Sequence, residues 1–136
     1  MSAEELFAGK KVVLVSVPGA FTPTCSASHL PGLLQSAAEM RAKGVDTIAC
    51  TAVNDVFVMD AWGKDQGVGD EVLMLADGNG DYVKTLGLEI DSSAFGMGMR
   101  GKRFAIIVDD GTATHVAVEA PRQFEVSTAE AILAAL

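Results

Sequence analysis

The segment KVVLVSV, Lys11–Val17, is an almost unbroken run of apolar, mostly β-branched residues. Such a run is typical of a strand that is buried on both faces, and sheets of this kind carry helices on each side. The segment therefore favours an α/β fold in which this strand lies near the middle of the sheet.

The rest of the chain alternates between helical and strand patterns. Apolar residues at helical spacing from Leu30 to Met40 predict a helix that ends at Gly44. The other predicted strands are Val45–Val53, Glu71–Asp77, Arg103–Gly111 and Ala113–Glu119, the last two as a hairpin. The other predicted helices are Val58–Lys64 with a cap at Asn54 or Asp55, Val83–Gly87, and a C-terminal helix with a capping box of Ser127 and Glu130. This order predicts one domain over residues 1–136, with a central mixed sheet flanked by helices.

Composition limits the classes of partner. The net charge of −8 argues against nucleic-acid binding, because phosphate contacts need clustered Lys and Arg. No apolar run approaches the roughly 18 residues of a membrane span, and the start, MSAEELFAGKK, lacks the apolar stretch of a signal peptide. Two cysteines are too few for a disulfide scaffold, so we expect a reducing, cytoplasmic setting.

Three motifs with familiar spacing lack the context that their function needs. GMGMRG, residues 96–101, has the glycine spacing of a dinucleotide site but precedes a strand, where that site needs a following helix. DGNGDY, residues 77–82, begins like a calcium loop but has Tyr82 at the glycine position and Leu88 at the glutamate position. His29 and His115 have no second ligand at metal spacing, so no metal site is predicted.

Cys25 lies in a loop rich in turn residues, just after the predicted first strand and at the predicted start of a helix. Ligands of open α/β sheets bind at this end of the strands. A helix N-terminus stabilises a thiolate through its dipole and free N–H groups, and the hydroxyl of Thr22 or Thr24 is expected to accept some of these N–H groups. Little in the local sequence is apolar, so we expect Cys25 to be reactive, whereas Cys50 in TIACTAV fits a buried, inert thiol.

The reaction class follows from the partners of Cys25. Ser28 stands where a dithiol oxidoreductase has its second cysteine, and His29 is one helical turn onward, a poor place for the base of a hydrolase. These features favour a thiolate that attacks an electrophile such as a peroxide, with a cation beside it. The residues alone leave Arg100, Lys102 and Arg103 open as that cation.

Four collinear segments resemble the peroxiredoxins. PGAFTPTC, Pro18–Cys25, resembles their Pro-x-x-x-Thr-x-x-Cys loop, and VPGAFTPTCSASHLPG resembles the peroxiredoxin-5 and plant type II branch. The similarity continues through KGVDTIACTAVNDVFVMDAWG, LADGNGDYVKTLGLEID and RGKRFAIIVDDG. The resemblance implies a thioredoxin-like fold and thiol-dependent reduction of hydrogen peroxide and organic hydroperoxides without metal or organic cofactor.

The resemblance also implies roles for four residues. Cys25 would be the peroxidatic cysteine, and Thr22 would hydrogen-bond the thiolate and the peroxide. Pro18 would shield the site from water, and Arg103 would be the cation.

Some relatives carry a third cysteine near the C-terminus, or a fused glutaredoxin domain, and this sequence has neither. The reductant is therefore expected to be an external thiol, either glutathione with glutaredoxin or thioredoxin. Relatives of this kind are commonly dimers, and the apolar loop residues Phe21, Phe95, Met97 and Met99 are candidates for a dimer patch. A peroxide sensor that relays oxidation, or a non-catalytic interaction module of the same fold, stays open as an alternative.

Overall fold

The elements of the fold follow the predicted alternation. The computed structural model describes all residues, Met1–Leu136. In chain order the elements are α1 (Ala3–Phe7), β1 (Lys11–Ser16), α2 (Leu30–Ala42), β2 (Thr47–Ala52), α3 (Val56–Gln66), β3 (Leu73–Ala76), α4 (Asp81–Leu86), β4 (Glu89–Asp91), β5 (Met99–Gly101), β6 (Phe104–Asp109), β7 (Thr112–Val118) and α5 (Ala129–Ala135). A π-helical turn, Cys25–His29, leads into α2, and a 3₁₀ turn, Ser93–Phe95, lies between β4 and β5.

Five strands form one mixed sheet in the order β3-β2-β1-β6-β7. Strands β1, β2 and β3 are parallel neighbours, while β6 runs antiparallel to both β1 and β7. As predicted from its apolar run, β1 is central and buried on both faces. This arrangement confirms the predicted α/β class with a central mixed sheet and flanking helices.

Alternate residues of β1 belong to separate cores on the two faces of the sheet. Val13 and Val15 lie in a cluster of 20 buried residues that includes side chains of α2, α3 and α5. Val12 and Leu14 lie in a cluster of nine, which α1 and α4 cover. None of the helices is long and apolar enough to cross a membrane.

The predicted helix boundaries are confirmed where a cap fixes them. The Asp55 side chain accepts the Val58 N–H at 2.9 Å and starts α3, as predicted. Gly44 has φ +95° directly after α2, the left-handed geometry expected of a C-terminal glycine.

The predicted cap of α5 is wrong by one residue. Thr128, not Ser127, accepts the Ala131 N–H and caps the helix, at 3.1 Å. Ser127 is fully buried, and its hydroxyl and N–H both donate to the Glu119 carboxylate. Its side chain is therefore not available to cap the helix. A local capping pattern cannot reveal this, since the competing acceptor lies eight residues away.

Short elements escaped the sequence analysis. Helix α1 and the hairpin of β4 with β5 were not predicted, because three to five residues are too few to show a hydrophobic period. The expected loop at residues 96–101 is in part this hairpin: Gly96 and Gly98 have positive φ in its turn, and residues 99–101 form β5.

Candidate active site

Cys25 lies beyond the carboxyl end of β1, at the start of the π-helical turn. The Leu30 N–H bonds to the Cys25 carbonyl, an i to i+5 spacing that widens the turn carrying the thiol. The preceding loop is fixed by a hydrogen bond from the Ala20 N–H to Asn54 Oδ1, at 2.9 Å. Phe21 in that loop has φ +62°, a costly conformation for a non-glycine residue. The loop therefore holds a defined geometry around the thiol.

The surroundings of Cys25 differ from the sequence prediction. Its side chain is 0% exposed and belongs to the larger apolar core cluster. Because the residues packed around it are apolar, the expectation of a polar environment is wrong. The Ser26 hydroxyl accepts a hydrogen bond from Trp62 Nε1 at 2.9 Å, which ties the first turn to α3. The sulfur is thus held in a dry, rigid environment.

Arg103 is the charged group that reaches the sulfur. Its Nη2 donates to Cys25 Sγ at 3.2 Å, while Nη1 contacts His29 Nδ1 at 2.8 Å. The guanidinium also lies 5.6 Å from the centre of the Phe124 ring. Arg103 directly precedes β6, and its carbonyl accepts the Glu119 N–H. These contacts with several parts of the fold therefore hold the guanidinium and its N–H donors beside the thiol.

The competing cations point elsewhere. Arg100 donates to the carbonyls of Met97 and Val53, at 2.9 and 2.7 Å. The Lys102 carbonyl accepts the Ser16 hydroxyl, and Lys102 lines the same pocket as Arg103 without a hydrogen bond to Cys25. Of the three candidates, only Arg103 is hydrogen-bonded to Cys25.

His29 is buried behind Arg103 and stays neutral. Burial and the adjacent Arg103 charge lower the pKa of His29 from 6.5 to about 4. Because the guanidinium can only donate, Nδ1 accepts from Arg103, and Nε2 carries the proton that it donates to the Ser127 carbonyl at 2.9 Å. The predicted helix-side place of His29 is confirmed, and its contact with Arg103 adds a positioning role.

Glu119 organises the segment that covers His29. Its Oε2 accepts the N–H groups of Glu125 and Ser127 at 2.8 Å each, and the Ser127 hydroxyl at 2.7 Å. Burial raises the pKa of Glu119, but these hydrogen bonds outweigh burial and leave the pKa below its usual value. The ionised carboxylate thus fixes the segment whose Phe124 ring lies 4.8 Å from the His29 ring.

Neither Thr22 nor Pro18, the two other predicted site residues, is hydrogen-bonded to the thiol. The Thr22 hydroxyl donates to the Gly19 carbonyl at 2.7 Å, and neither Thr22 nor Thr24 caps the helical segment with its side chain. The expected side-chain caps are therefore wrong. Pro18 lines a pocket of about 430 Å³ together with Thr24 and Arg103.

Cys50 occupies β2 in the same core cluster as Cys25. Burial, with a contribution from the neighbouring Cys25, raises the pKa of Cys50 to about 12. The predicted burial of Cys50 is confirmed, and both cysteines are free thiols. No group of three His, Cys, Asp or Glu side chains is placed to hold a metal ion.

Sequence reasoning missed the residues behind the guanidinium: His29 as its acceptor, and Glu119, Ser127 and Phe124 as the support of that acceptor. The contacts of His29 with Arg103 and Ser127 join segments about 75 to 100 residues apart in the chain, while Glu119 and Ser127 are eight residues apart. The one local signal was the four-residue spacing of Cys25 and His29, which puts both on one side of a helix.

Comparison with known proteins agrees with this geometry. The redoxin family model matches residues 1–133. Peroxiredoxin-2B of Arabidopsis thaliana is 51% identical over 135 residues, which cover 99% of this chain and 83% of that protein. The chloroplastic peroxiredoxin-2E of the same plant is 49% identical over 100% of this chain, which spans 59% of that relative's length.

Solved structures give the same result. Reduced Prx3 of Vibrio vulnificus in complex with hydrogen peroxide is 57% identical, with a TM-score of 0.96 over 100% of this chain and 88% of its own. Peroxiredoxin 5 of Alvinella pompejana is 39% identical, with a TM-score of 0.87 over 97% of this chain and 82% of its own. With a redoxin fold, a cysteine held by an arginine and about 50% identity to plant type II members, the chain belongs to the peroxiredoxins, the thiol-dependent peroxidases.

Proposed function

We propose that this peroxiredoxin reduces hydrogen peroxide and organic hydroperoxides at Cys25. The observation that carries the proposal is the 3.2 Å hydrogen bond from Arg103 Nη2 to Cys25 Sγ inside an apolar core. A fixed cation stabilises a thiolate, which is the nucleophilic form of cysteine. Arg103 keeps its charge at every physiological pH, so the attraction is permanent.

In the proposed first step the thiolate sulfur attacks one peroxide oxygen. The S–O bond forms as the O–O bond breaks, and the leaving oxygen departs as water or an alcohol after taking a proton. Sulfur loses two electrons and becomes a sulfenic acid. Arg103 stabilises the charge that grows on the leaving oxygen, and the Thr22 oxygen, whose proton is engaged by Gly19, is available to accept the peroxide O–H. Pro18 limits the access of water from the adjoining pocket.

An external thiol completes the proposed cycle. Its sulfur bonds to that of the sulfenic acid and water leaves; a second thiol then releases Cys25 and a disulfide. All electrons pass from the external thiol through the Cys25 sulfur to the peroxide, so the proposed cycle needs no cofactor. Cys50 is a poor resolving thiol because it is protonated at neutral pH and fixed in β2. Glutathione with glutaredoxin, or thioredoxin, supplies the electrons in this proposal.

A homodimer in the cytoplasm completes the proposal. Phe21, Phe95 and Met99 of the predicted patch are 52%, 66% and 47% exposed, which supports an association surface. Two free cysteines suit a reducing compartment. The acidic charge suits small molecules and redox proteins as partners and disfavours nucleic acid or membrane.

Steady-state peroxide consumption tests the proposal. The wild type is assayed with glutathione and glutaredoxin, and separately with thioredoxin; Cys25→Ser is the matched variant. We expect many turnovers with at least one of the two reducing systems and none from Cys25→Ser. Activity that survives in Cys25→Ser would assign the chemistry to another group, and a single turnover by the wild type would favour a sensor.

A further inference from the structure

The pocket beside Cys25 is larger and more apolar than hydrogen peroxide requires. Pro18, Thr24 and Arg103 line it, and Arg103 is hydrogen-bonded to Cys25, while Ile90, Phe95 and Met97 are among its apolar walls. Its volume of about 430 Å³ is more than ten times the roughly 30 Å³ that one water molecule occupies. The pocket can therefore hold the organic body of a substrate whose reactive end lies at Arg103, the lining residue that is hydrogen-bonded to the sulfur.

The same pocket is lined by three cations, Lys102, Arg103 and Arg122, and by two carboxylates, Asp91 and Glu119. Lys102 and Arg122 line it, and neither is in an ion pair. Of its two carboxylates, Glu119 accepts three hydrogen bonds from its own segment, and Asp91 is exposed and accepts the Ser93 N–H. In a chain of net charge −8, a pocket with three cations and two carboxylates has a local excess of positive charge, which favours an anionic substrate.

Arg122 is held in place at the rim. Its backbone has φ +66°, a strained conformation for arginine, and strain of this kind is concentrated at functional sites. Its guanidinium lies 5.5 Å from the centre of the Phe95 ring, which also lines the pocket. A guanidinium held against one wall, with its donors free of protein partners, suits the planar geometry of a carboxylate.

We propose that Arg122, assisted by Lys102, forms a carboxylate-binding subsite for amphipathic substrates that react at Cys25. The apolar walls bind the hydrocarbon body, and the rim cations bind the carboxylate. The inference rests on the proposed peroxidase function. A carboxylate can come from an organic hydroperoxide or from the reducing thiol, and the apolar walls favour the hydroperoxide. The carboxylate takes no part in the redox step, in which the S–O bond forms and the O–O bond breaks as before.

Two substrates that differ at one group, an ionised carboxylate or its uncharged methyl ester, test this subsite. The rate constant kcat/KM is measured for linoleic acid hydroperoxide and for its methyl ester below their aggregation concentrations, with uncharged dithiothreitol as reductant. For the wild type we expect the acid to be preferred roughly fivefold, the upper range for one exposed charge pair. In Arg122→Gln the acid-to-ester ratio falls toward one, and Arg122→Lys restores part of it.

The control variant is Lys64→Gln, which removes the same charge from a surface pair with Asp60 on α3. It should keep the wild-type ratio, because bulk charge alone is not the proposed cause. A second arm compares glutathione with its diester, with hydrogen peroxide as oxidant. If Arg122→Gln changes the ratio of glutathione to diester rates but not the acid-to-ester ratio, the subsite binds the carboxylate of the reducing thiol.

The results distinguish a failure of the subsite from a failure of the proposed peroxidase function. Wild type that consumes hydrogen peroxide but shows no response to Arg122→Gln in either arm overturns the subsite alone. An equal fall in Lys64→Gln also overturns it. Wild type that consumes no peroxide with dithiothreitol overturns the proposed function itself.

Discussion

The sulfur of Cys25 is shielded from water and accepts a hydrogen bond from one guanidinium. At 0% exposure it has no solvent to stabilise a negative charge, and Arg103 donates to it at 3.2 Å. Charge interactions are stronger inside a protein than in water, so a single well-held cation has a large effect there. His29 holds that cation from behind without competing for it, because it is neutral and offers only a lone pair to Arg103.

Replacing Arg103 should therefore slow the oxidation of Cys25. We expect Arg103→Gln to lower the second-order rate constant with hydrogen peroxide on the order of a hundredfold, the usual loss for a group that stabilises transition-state charge. Arg103→Lys should be intermediate, because one ammonium cannot contact both Cys25 and His29 as the fork does. Stopped-flow measurement of the oxidation rate checks both variants. A fall in Arg100→Gln without one in Arg103→Gln would contradict the assignment.

Acid should destabilise the protein through His29. Its pKa is about 4 in the folded chain, against an ordinary 6.5 once the side chain is exposed by unfolding. Between these pH values the unfolded chain therefore holds a proton that the folded chain lacks. The free energy of unfolding falls as the pH falls through this window, by roughly 3 kcal/mol in total. Carboxylates such as Glu119 take up protons near and below pH 4.5, so the change in stability in the upper part of the window comes from His29.

Denaturant unfolding across this pH window measures the effect. His29→Gln keeps an acceptor for Arg103 and a donor for the Ser127 carbonyl but does not titrate, so its stability should be nearly flat in the upper part of the window. A slope in His29→Gln equal to that of the wild type would assign the acid sensitivity to other groups.

At the scale of elements, two close contacts fix the site. The Trp62–Ser26 hydrogen bond joins α3 to the turn that carries Cys25. On the other face, Gly101 of β5 packs so closely that an added Cβ would lie 2.9 Å from Val83 Cγ1 and 3.1 Å from Ser16 Oγ. Ser16 Oγ in turn donates to the Lys102 carbonyl, next to Arg103. The hairpin β4–β5 is therefore part of the support of the active-site arginine.

Gly101→Ala should destabilise the fold by about 1–3 kcal/mol, the usual cost of an overpacked site. The matched control is Gly32→Ala in α2, where the new Cβ would meet its nearest neighbour at an ordinary 3.8 Å and where alanine favours the helix. We expect the control to be neutral or to stabilise by up to about 1 kcal/mol. Equal effects in thermal unfolding of the two variants would contradict the close approach at Gly101.

The long elements were predictable because their patterns are local. The apolar run of β1, the helical spacing of α2 and the Asp55 cap of α3 each lie within a few residues. The position of Cys25 after β1 was predictable for the same reason. Its burial was not, since the core that surrounds it comes from α2, α3, α5 and the sheet. Selecting Arg103 needed the family resemblance, because Arg100 and Lys102 are equal candidates in the sequence alone.

At the scale of the whole molecule, the two cysteines share one core but have different roles. Cys50 lies in the interior of β2, paired with Val15 of β1 and Met74 of β3, and the raised pKa of about 12 keeps it protonated. A disulfide needs Cα atoms within roughly 7 Å and converging side chains, so we expect a Cys25–Cys50 bridge to disturb the sheet or the first helical turn. These features support the proposal that an external thiol reduces Cys25.

Cys50→Ser should accordingly keep most of its turnover when glutathione and glutaredoxin, or thioredoxin, is supplied. Peroxide consumption under steady-state conditions measures this, with Cys25→Ser as the inactive reference. A loss of turnover in Cys50→Ser, together with a Cys25–Cys50 disulfide in non-reducing peptide maps, would make Cys50 an obligatory partner.

The exposed apolar loop residues predict association of the whole chain. Light scattering of the reduced and the oxidised protein should give the mass of a dimer, because burying Phe21, Phe95 and Met99 removes apolar area from water. A monomer in both redox states at high concentration would contradict the homodimer.

Identifying the sulfur that peroxide oxidises is the sharpest test of the proposed chemistry. The reduced protein is treated with one equivalent of hydrogen peroxide in the presence of a sulfenic-acid trap, and peptide mass mapping locates the adduct. We expect the adduct on Cys25, with Cys50 recovered as a free thiol, and much slower labelling in Arg103→Gln. An adduct on Cys50, or labelling of Cys25 at the same rate with and without Arg103, would show that an arginine-held Cys25 is not the reacting group.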